Sequence, residues 1–155
     1  HYIGDGGQPL HDSIHSDGWI GDNPQGYTRD RSIHGRFESQ FVDGMGLSVA
    51  DIAPRIGAPG HRSGDMFNAV LAYLDEAGDQ VETVYKLEKR DGFADFADPD
   101  VRALIYERTA AAAAMLRDMV CRAWTESASP PAEVKPGPLD FDNPRFNPET
   151  GSAPD

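Results

Sequence analysis

The clearest hydrophobic pattern lies between residues 99 and 126, where apolar side chains recur at helical spacing. Asp98 is suited to cap a helix, Pro99 fits the first helical position, and Asp100 suits the positive end of the helix dipole. A helix of about 28 residues would be about 40 Å long. The pattern therefore predicts one long helix that forms the spine of the domain. Its apolar positions are Val101, Leu104, Ile105, Met115, Leu116, Met119, Val120, Ala123 and Trp124.

Two shorter helices are predicted upstream, over Asp65 to Ala77 and over Asp79 to Lys89, separated at Gly78. Residues 44–64 contain five glycines and two prolines, which indicates a long loop or lid. No segment alternates between apolar and polar residues with the period of two that half-buried strands require. We therefore predict an all-α fold without internal repeats.

The composition changes after residue 127. Residues 128–155 contain seven of the twelve prolines and only scattered apolar side chains. A segment of this kind does not bury enough apolar surface to offset the entropy of ordering it. The sequence therefore predicts a helical domain over residues 1–127 and an extended or disordered acidic tail over residues 128–155.

Charge and cysteine content narrow the possible functions. The chain has 14 Lys plus Arg against 26 Asp plus Glu, a formal charge of −12, which argues against wrapping duplex DNA through a basic surface. The longest apolar run, residues 110–116, is far shorter than the roughly 20 residues of a membrane-spanning helix. Cys121 is the single cysteine, so a metal site in this chain must use histidine and carboxylate ligands.

Histidines and carboxylates cluster at the start of the chain. Four of the five histidines lie within the first 34 residues. His1 and Asp5 are four residues apart, as are His34 and Glu38, so each pair shares one face of a helix. Alone, such a pair is more often a solvated contact than a pair of metal ligands. Two pairs together with His11 favour zinc or a related metal, because imidazole and carboxylate suit these ions.

We expect local structure to bring these residues together. Gly6 and Gly7 should end a first helix and turn His11 towards the other ligands, while a helix over Tyr27 to Asp43 would present the second pair. His15 lies four residues after His11 and is expected to be a loop histidine rather than a ligand.

The first eleven residues, His-Tyr-Ile-Gly-Asp-Gly-Gly-Gln-Pro-Leu-His, closely resemble a signature of the zinc-dependent phospholipase C and single-strand-specific nuclease superfamily. The later Ile33-His34-Gly35-Arg36-Phe37-Glu38 matches the second part of that signature. The likeness covers residues 1–43 well, and the long C-terminal helix is also similar. The resemblance implies a mainly helical fold and zinc-dependent hydrolysis of phosphodiesters.

The resemblance also assigns roles to individual residues. It implies that Asp5 bridges two zinc ions of a trinuclear cluster as a metal-bridging catalytic residue, and that His1 joins one of them. It implies that His11, His34 and Glu38 hold the third ion. The family's other ligands precede this motif, so we expect the chain to be a C-terminal part that holds fewer than three zinc ions and has little activity alone. Alternatively, those ligands lie on another chain, or catalysis has been lost.

The loop from Asp12 to Asp30 is expected to form one wall of the site. Trp19 and Tyr27 are candidates to stack on a nucleobase or contact lipid, although packing within the loop is equally plausible. Asn23 and Arg29 complete the candidate substrate-binding set, Arg29 as a phosphate contact or as the partner of a nearby carboxylate.

Three functions follow, in order of preference. The first is a nuclease that cuts single-stranded DNA or RNA and removes 3′-phosphates from nucleotides, which Gly21-Asp22-Asn23 mildly favours. The second is a phospholipase C acting on lipid head groups, which Glu38 favours over the aspartate typical of the nucleases. The third is an inactive zinc-binding module. Family members are exported, so a secreted or periplasmic location is expected, although no signal peptide is visible.

Overall fold

Helices supply the regular structure of the described residues, which are 1–60, 64–129 and 142–149 of a computed structural model. These ranges contain no β-strand, so the prediction of a mainly helical fold is confirmed. The elements in chain order are α1 (Tyr2–Asp5), a 3-10 turn (Pro9–Asp12), α2 (Ile33–Gly35), a π-helical segment (Arg36–Phe41), α3 (Val42–Met45), α4 (Val49–Ile52), a 3-10 turn (Ala53–Arg55), α5 (Met66–Gly78), α6 (Val81–Lys89), a 3-10 turn (Gly92–Ala94) and α7 (Pro99–Glu126).

The long helix α7 begins where the sequence predicts. The Asp98 carboxylate accepts hydrogen bonds from the backbone N–H groups of Asp100 and Val101, at 3.1 and 3.0 Å. Arg90 donates two further bonds to the same carboxylate, at 2.7 and 2.8 Å. The hydrogen bonds from Arg90, followed by the bond from Val101, outweigh burial and lower the pKa of Asp98 to about 2. The N-cap is therefore a charged and fully bonded group.

Helices α5 and α6 match their predicted bounds to within two residues, and Asp65 caps α5 by accepting a hydrogen bond from the Phe67 N–H. The prediction of a loop over residues 44–64 is wrong in part, because α4 lies within it. A capping box explains that turn. Ser48 and Asp51 exchange bonds between side chain and backbone at its N-terminus. Residues 61–63, including His61, lie outside the described part.

The helix predicted over Tyr27 to Asp43 begins later, at Ile33. The Asn23 side chain explains the delay, because it donates to the Tyr27 carbonyl at 2.7 Å and accepts from the Tyr27 N–H at 2.8 Å. This Asx-type bonding holds the backbone in a loop and competes with helix formation. From Ile33 onward, α2, the π-helical segment and α3 follow one another without a break.

One core cluster supports the N-terminal part of the chain. Leu10, Ile33, Phe41 and Val101 are fully buried. They come from the first 3-10 turn, from the α2–α3 run and from α7, so the two segments with candidate ligands are anchored in the same core. The 3-10 turn also packs against α5 and α6. Burial of such side chains stabilises each anchor by about 1.5–3 kcal/mol.

The chain divides into two compact units, residues 1–122 and 123–155. The first unit contains the core cluster and all the candidate ligands. In the second unit, the Ser127 hydroxyl donates to the Trp124 carbonyl at 2.7 Å, and the Phe146 N–H donates to the Asn143 carbonyl at 2.8 Å. Most of the tail predicted to be disordered, residues 130–141 and 150–155, lies outside the described residues. Among the described helices, none has both the length and the apolar character needed to cross a bilayer.

Candidate metal centre

The α2–α3 run presents His34 and Glu38 from one surface. Ile33 and Phe37, which immediately precede these two residues, are 0% and 3% exposed and fix the backbone against the core. The His34 Nε2 and Glu38 Oε2 atoms are 2.7 Å apart. Glu38 itself lies in the π-helical segment, a rare conformation that occurs frequently at functional sites.

The 3-10 turn over Pro9–Asp12 places His11 opposite that helix. Gln8 caps the turn by accepting a hydrogen bond from the Leu10 N–H through its side-chain carbonyl oxygen. Leu10 is fully buried, so His11 follows a fixed backbone. His11 Nδ1 lies 3.1 Å from the Asp5 carbonyl oxygen, to which it donates in the corresponding tautomer.

Gly7 makes this turn possible through close packing rather than through an unusual backbone angle. A Cβ atom at Gly7 would lie 2.6 Å from the Tyr73 hydroxyl oxygen and 3.1 Å from the Ala112 Cβ. Helices α5 and α7 therefore approach the chain here more closely than a side chain allows. The prediction that Gly6 and Gly7 end α1 is confirmed, and the structure supplies the reason for the second glycine.

The three ligand candidates converge on one point. Ligand atoms of His11, His34 and Glu38 all lie within 4.8 Å of one another. His11 Nε2 is 3.3 Å from Glu38 Oε2, and the two imidazole ring centroids are 4.9 Å apart. The structure thus brings together the three residues that the resemblance assigns to a single ion.

Two residues that sequence reasoning did not assign to the site support this cluster. The Gln8 side-chain N–H lies 3.3 Å from Glu38 Oε2, to which it donates. Asp17 Oδ1 lies 3.8 Å from His34 Nδ1, beyond hydrogen-bond distance, and is the carboxylate that faces this nitrogen. Carboxylates and carbonyls commonly hold the outer nitrogen of a metal-binding histidine in this way. The Nε2 atoms of both rings face Glu38 Oε2, and Gln8 Nε2 also lies 3.2 Å from His34 Nε2.

The charge of Glu38 is favoured by its neighbours. Burial raises the pKa of Glu38, but hydrogen bonds from Gln8 and His34 and the positive potential of His11 outweigh burial, so the pKa is lower than usual. The side chain therefore stays ionised further into the acid range than an ordinary glutamate. An ionised carboxylate is the form that binds a metal.

The donor set fits zinc. Two imidazole nitrogens and one carboxylate oxygen, without a thiolate, are typical of open zinc sites with three protein ligands. Ligand bonds of about 2.0–2.1 Å in a tetrahedron place ligand atoms about 3.3 Å apart, which matches the 3.3 Å between His11 Nε2 and Glu38 Oε2. The 2.7 Å separation of His34 Nε2 and Glu38 Oε2 is a hydrogen bond that needs a proton on Nε2. Zinc would displace this proton, and the two atoms would have to move slightly apart to bind one ion.

The His1–Asp5 pair lies beside the cluster but is less enclosed. His1 Nε2 is 3.2 Å from Asp5 Oδ2, and the His1 side chain is 83% exposed. Asp5 Oδ1 lies 3.9 Å from His11 Nδ1, so Asp5 links the pair to the cluster. The two residues are therefore adjacent to the three-residue site. Among the described residues, Asp5 is the link between His1 and this site.

Two cavities open beside these residues. One, of about 270 Å³, is lined by Asp5, Gln8, His11, Glu38 and Arg108 among others. The other, of about 520 Å³, is lined by Tyr2, Asp5, His11 and His34 among others. Tyr2 is 88% exposed, and the sequence reasoning did not assign it a role. Only the structure shows that this exposed ring lies along the same cavity as the candidate ligands His11 and His34.

The four predicted substrate-binding residues form a different group. Trp19 stacks on His15 at 4.0 Å and contacts Tyr27, which is 5% exposed. The Tyr27 hydroxyl donates to Glu82 at 2.7 Å. Neither Trp19, Asn23, Tyr27 nor Arg29 is among the described residues that line the two cavities.

The bonds within this loop explain its separation. Trp19 Nε1 donates to the Asp22 carbonyl and Arg29 donates to the Gly21 carbonyl, each at 2.7 Å. His15 Nδ1 accepts the Ile20 N–H at 3.1 Å, as expected for a loop histidine. The loop thus bonds mainly to itself, which is the packing alternative considered above.

Comparison with known proteins gives no family assignment. No protein-family profile matches the chain, and no curated protein or solved structure matches it either. The resemblance of residues 1–38 to a phosphodiesterase signature therefore stays a hypothesis. The geometry of the cluster is an independent line of support for its chemistry.

Proposed function

We propose that this chain provides the zinc site of a phosphodiesterase, and that its substrate is single-stranded nucleic acid or a nucleotide. The observation that supports this most strongly is the convergence of His11, His34 and Glu38, with His11 Nδ1 3.1 Å from the Asp5 carbonyl oxygen and the Asp17 carboxylate 3.8 Å from His34 Nδ1. Solvated pairs at helical spacing do not need such outer support.

An open site favours hydrolysis over a purely structural role. The three side chains are 28%, 23% and 43% exposed, so the cluster lies at the surface and is accessible from two cavities. A structural zinc site normally has four protein ligands, whereas a catalytic site has three and an open position. Zinc bound here would lower the pKa of a water molecule and stabilise negative charge on phosphoryl oxygens.

The residues of the chain have distinct tasks in this proposal. His11, His34 and Glu38 supply the ligands, while Gln8 and Asp17 hold two of them in position. Asp5, 44% exposed and adjacent to His11, supplies a second carboxylate at the edge of the site. A carboxylate at this place is able to bind a neighbouring ion, as the family resemblance implies.

The choice of substrate rests on an exposed aromatic ring beside the cluster. Tyr2, at the rim of the larger cavity, provides an exposed aromatic face on which a nucleobase can stack. Phospholipase C activity is the second candidate, since the resemblance associates a glutamate at position 38 with that branch.

Hydrolysis assays separate the two candidates. Zinc-loaded protein, with the chain in its natural polypeptide context, is incubated with a single-stranded DNA oligonucleotide or with phosphatidylcholine vesicles. We expect cleavage of the oligonucleotide that requires zinc and is lost in His34→Ala, with Asp22→Asn as the unaffected control. Hydrolysis of the vesicles alone would support the second candidate. A protein that does not bind zinc would contradict both.

A further inference from the structure

Arg108 on α7 is a buried cation with an unpaired donor. The side chain is 6% exposed, and its Nε donates to the Gly7 carbonyl at 3.1 Å. Its Nη2 is buried and has no hydrogen-bond partner among the described residues. A buried charged donor without a partner is unfavourable by more than a neutral one, so this nitrogen needs a ligand or an ordered water molecule.

The position of Arg108 suggests which ligand. The residue lines the 270 Å³ cavity together with Asp5, Gln8, His11 and Glu38. Gly7, its hydrogen-bond partner, directly precedes Gln8, which donates to Glu38. The guanidinium is thus tied to the same turn that carries part of the candidate zinc site.

The charges around Arg108 leave its positive charge available. No carboxylate of the described residues forms an ion pair with it within 4.0 Å. Asp12 is the charged neighbour that interacts with it at longer range. Burial raises the pKa of Asp12, while His11 and Arg108 act in the opposite direction. On its other side the guanidinium lies 5.8 Å from the ring centroid of Tyr73.

We propose that Arg108 binds a phosphoryl oxygen of the substrate in this cavity, beside His11 and Glu38. This inference rests on the proposed function, because it assigns the anion-binding group of the same site. Guanidinium N–H groups match the geometry of phosphate oxygens and form strong charge-assisted bonds with them. The same cavity is lined by two carboxylates, Asp5 and Glu38, which would repel a phosphodiester, and Arg108 supplies a positive charge there.

Binding of inorganic phosphate tests the proposal without requiring turnover. The zinc-loaded chain is titrated with phosphate by calorimetry, and zinc affinity is measured separately. We expect Arg108→Gln to weaken phosphate binding about tenfold or more and to change zinc affinity less than threefold. Arg117→Gln is the matched control, because Arg117 lies on the same helix and is bonded to Asp118, Gly57 and Ala58. It should leave phosphate affinity unchanged within twofold.

A second measurement guards against loss of structure in Arg108→Gln. Arg108→Lys keeps the charge but loses the planar donor geometry, so a folded variant with intermediate phosphate affinity is expected. In the unmodified chain, phosphate should shift the Nε–Hε resonance of Arg108 in a saturable way, assigned by its loss in Arg108→Lys.

The outcomes separate this proposal from the proposed function. Zinc binding with equal phosphate affinity in the unmodified chain and in folded Arg108→Gln would overturn the role of Arg108 alone. Absence of zinc binding would contradict the proposed function. The role of Arg108 is then tested by titrating the zinc-free chain with phosphate. A saturable shift of its resonance by phosphate would support an anion site, and no shift would overturn it.

Discussion

Two pairs of residues with the same spacing have different surroundings in this molecule. His34 and Glu38 lie on a continuous helical run, and the residues directly before them, Ile33 and Phe37, are buried in the core. Asp5 ends the four-residue helix α1 and His1 is its N-cap residue; this helix contributes no buried residue. The His34 side chain is 23% exposed, whereas that of His1 is 83% exposed.

The difference shows that spacing alone does not hold a pair of candidate ligands in place. A helix of four residues is too short to be stable by itself, because the first helical turn is unfavourable until further turns form. The second pair is held by packing, and Gln8 and Asp17 hold its side chains from outside. A ligand pair that is already oriented loses less conformational entropy when it binds an ion.

The largest expected effect is the loss of zinc binding when the supported pair is removed. His34→Ala and Glu38→Ala should each weaken zinc affinity by about 100-fold or more, since each deletes one of three ligands. His1→Ala should change affinity at the three-residue site less than about threefold. Competition with a chromophoric chelator measures all three values. Equal losses of zinc affinity in His1→Ala and His34→Ala would show that both pairs contribute equally to zinc binding.

The next effect concerns the groups that orient the supported pair. Asp17→Asn and Gln8→Ala should each weaken zinc binding by about 10–100-fold, the range typical of residues that hold metal ligands in place. Asp22→Asn is the matched control, because Asp22 is exposed on the same loop and its backbone, not its side chain, bonds to Trp19. Affinities in Asp17→Asn that equal those in the control would show that His34 needs no outer partner.

These supporting groups mark the limit of what the sequence could predict. Apolar periodicity and end signals were sufficient for α5, α6 and α7, because those signals are local. The spacing of His34 and Glu38 was likewise sufficient for their mutual geometry. The contact between Gln8 and Glu38 joins residues from different segments, and no local pattern indicates it.

The loop with Trp19 shows a second limit of sequence patterns. Aromatic residues between two groups of ligands suggest a binding surface, but Tyr85 on α6 draws Trp19 and Tyr27 into a cluster of aromatic rings. The Tyr85 hydroxyl also donates to the His15 carbonyl at 2.5 Å. Tyr85 lies 70 residues from His15 along the chain, so no pattern of neighbouring residues predicts this contact.

A third prediction compares Gly4, which lies within α1, with Gly7, which lies in the turn after it. Gly7→Ala should lower the free energy of unfolding by about 1–3 kcal/mol, because its Cβ would overlap the Tyr73 hydroxyl and crowd Ala112. Gly4→Ala has open space around the new methyl group and should stabilise α1 by about 0.5–1 kcal/mol. Chemical denaturation measures both changes. A more stable α1 should also hold His1 and Asp5 in place, so the zinc affinity of this pair should rise in Gly4→Ala. Destabilisation by Gly4→Ala would show that α1 packs differently from this structure.

The smallest expected effect concerns the reach of the carboxylate in the supported pair. Glu38→Asp keeps the charge and shortens the side chain by one methylene, so zinc affinity should fall by no more than about tenfold, far less than in Glu38→Ala. The helical run is anchored by Phe37 and Phe41, so the backbone should not shift to compensate, and a small loss is expected rather than none. Asp5→Glu, in the less constrained pair, provides the matched change in the opposite direction and should leave affinity at the three-residue site within about twofold. Calorimetric titration with zinc ranks the variants. Equal affinity in the unmodified chain, Glu38→Asp and Glu38→Ala would show that Glu38 is a solvated helix residue and not a ligand.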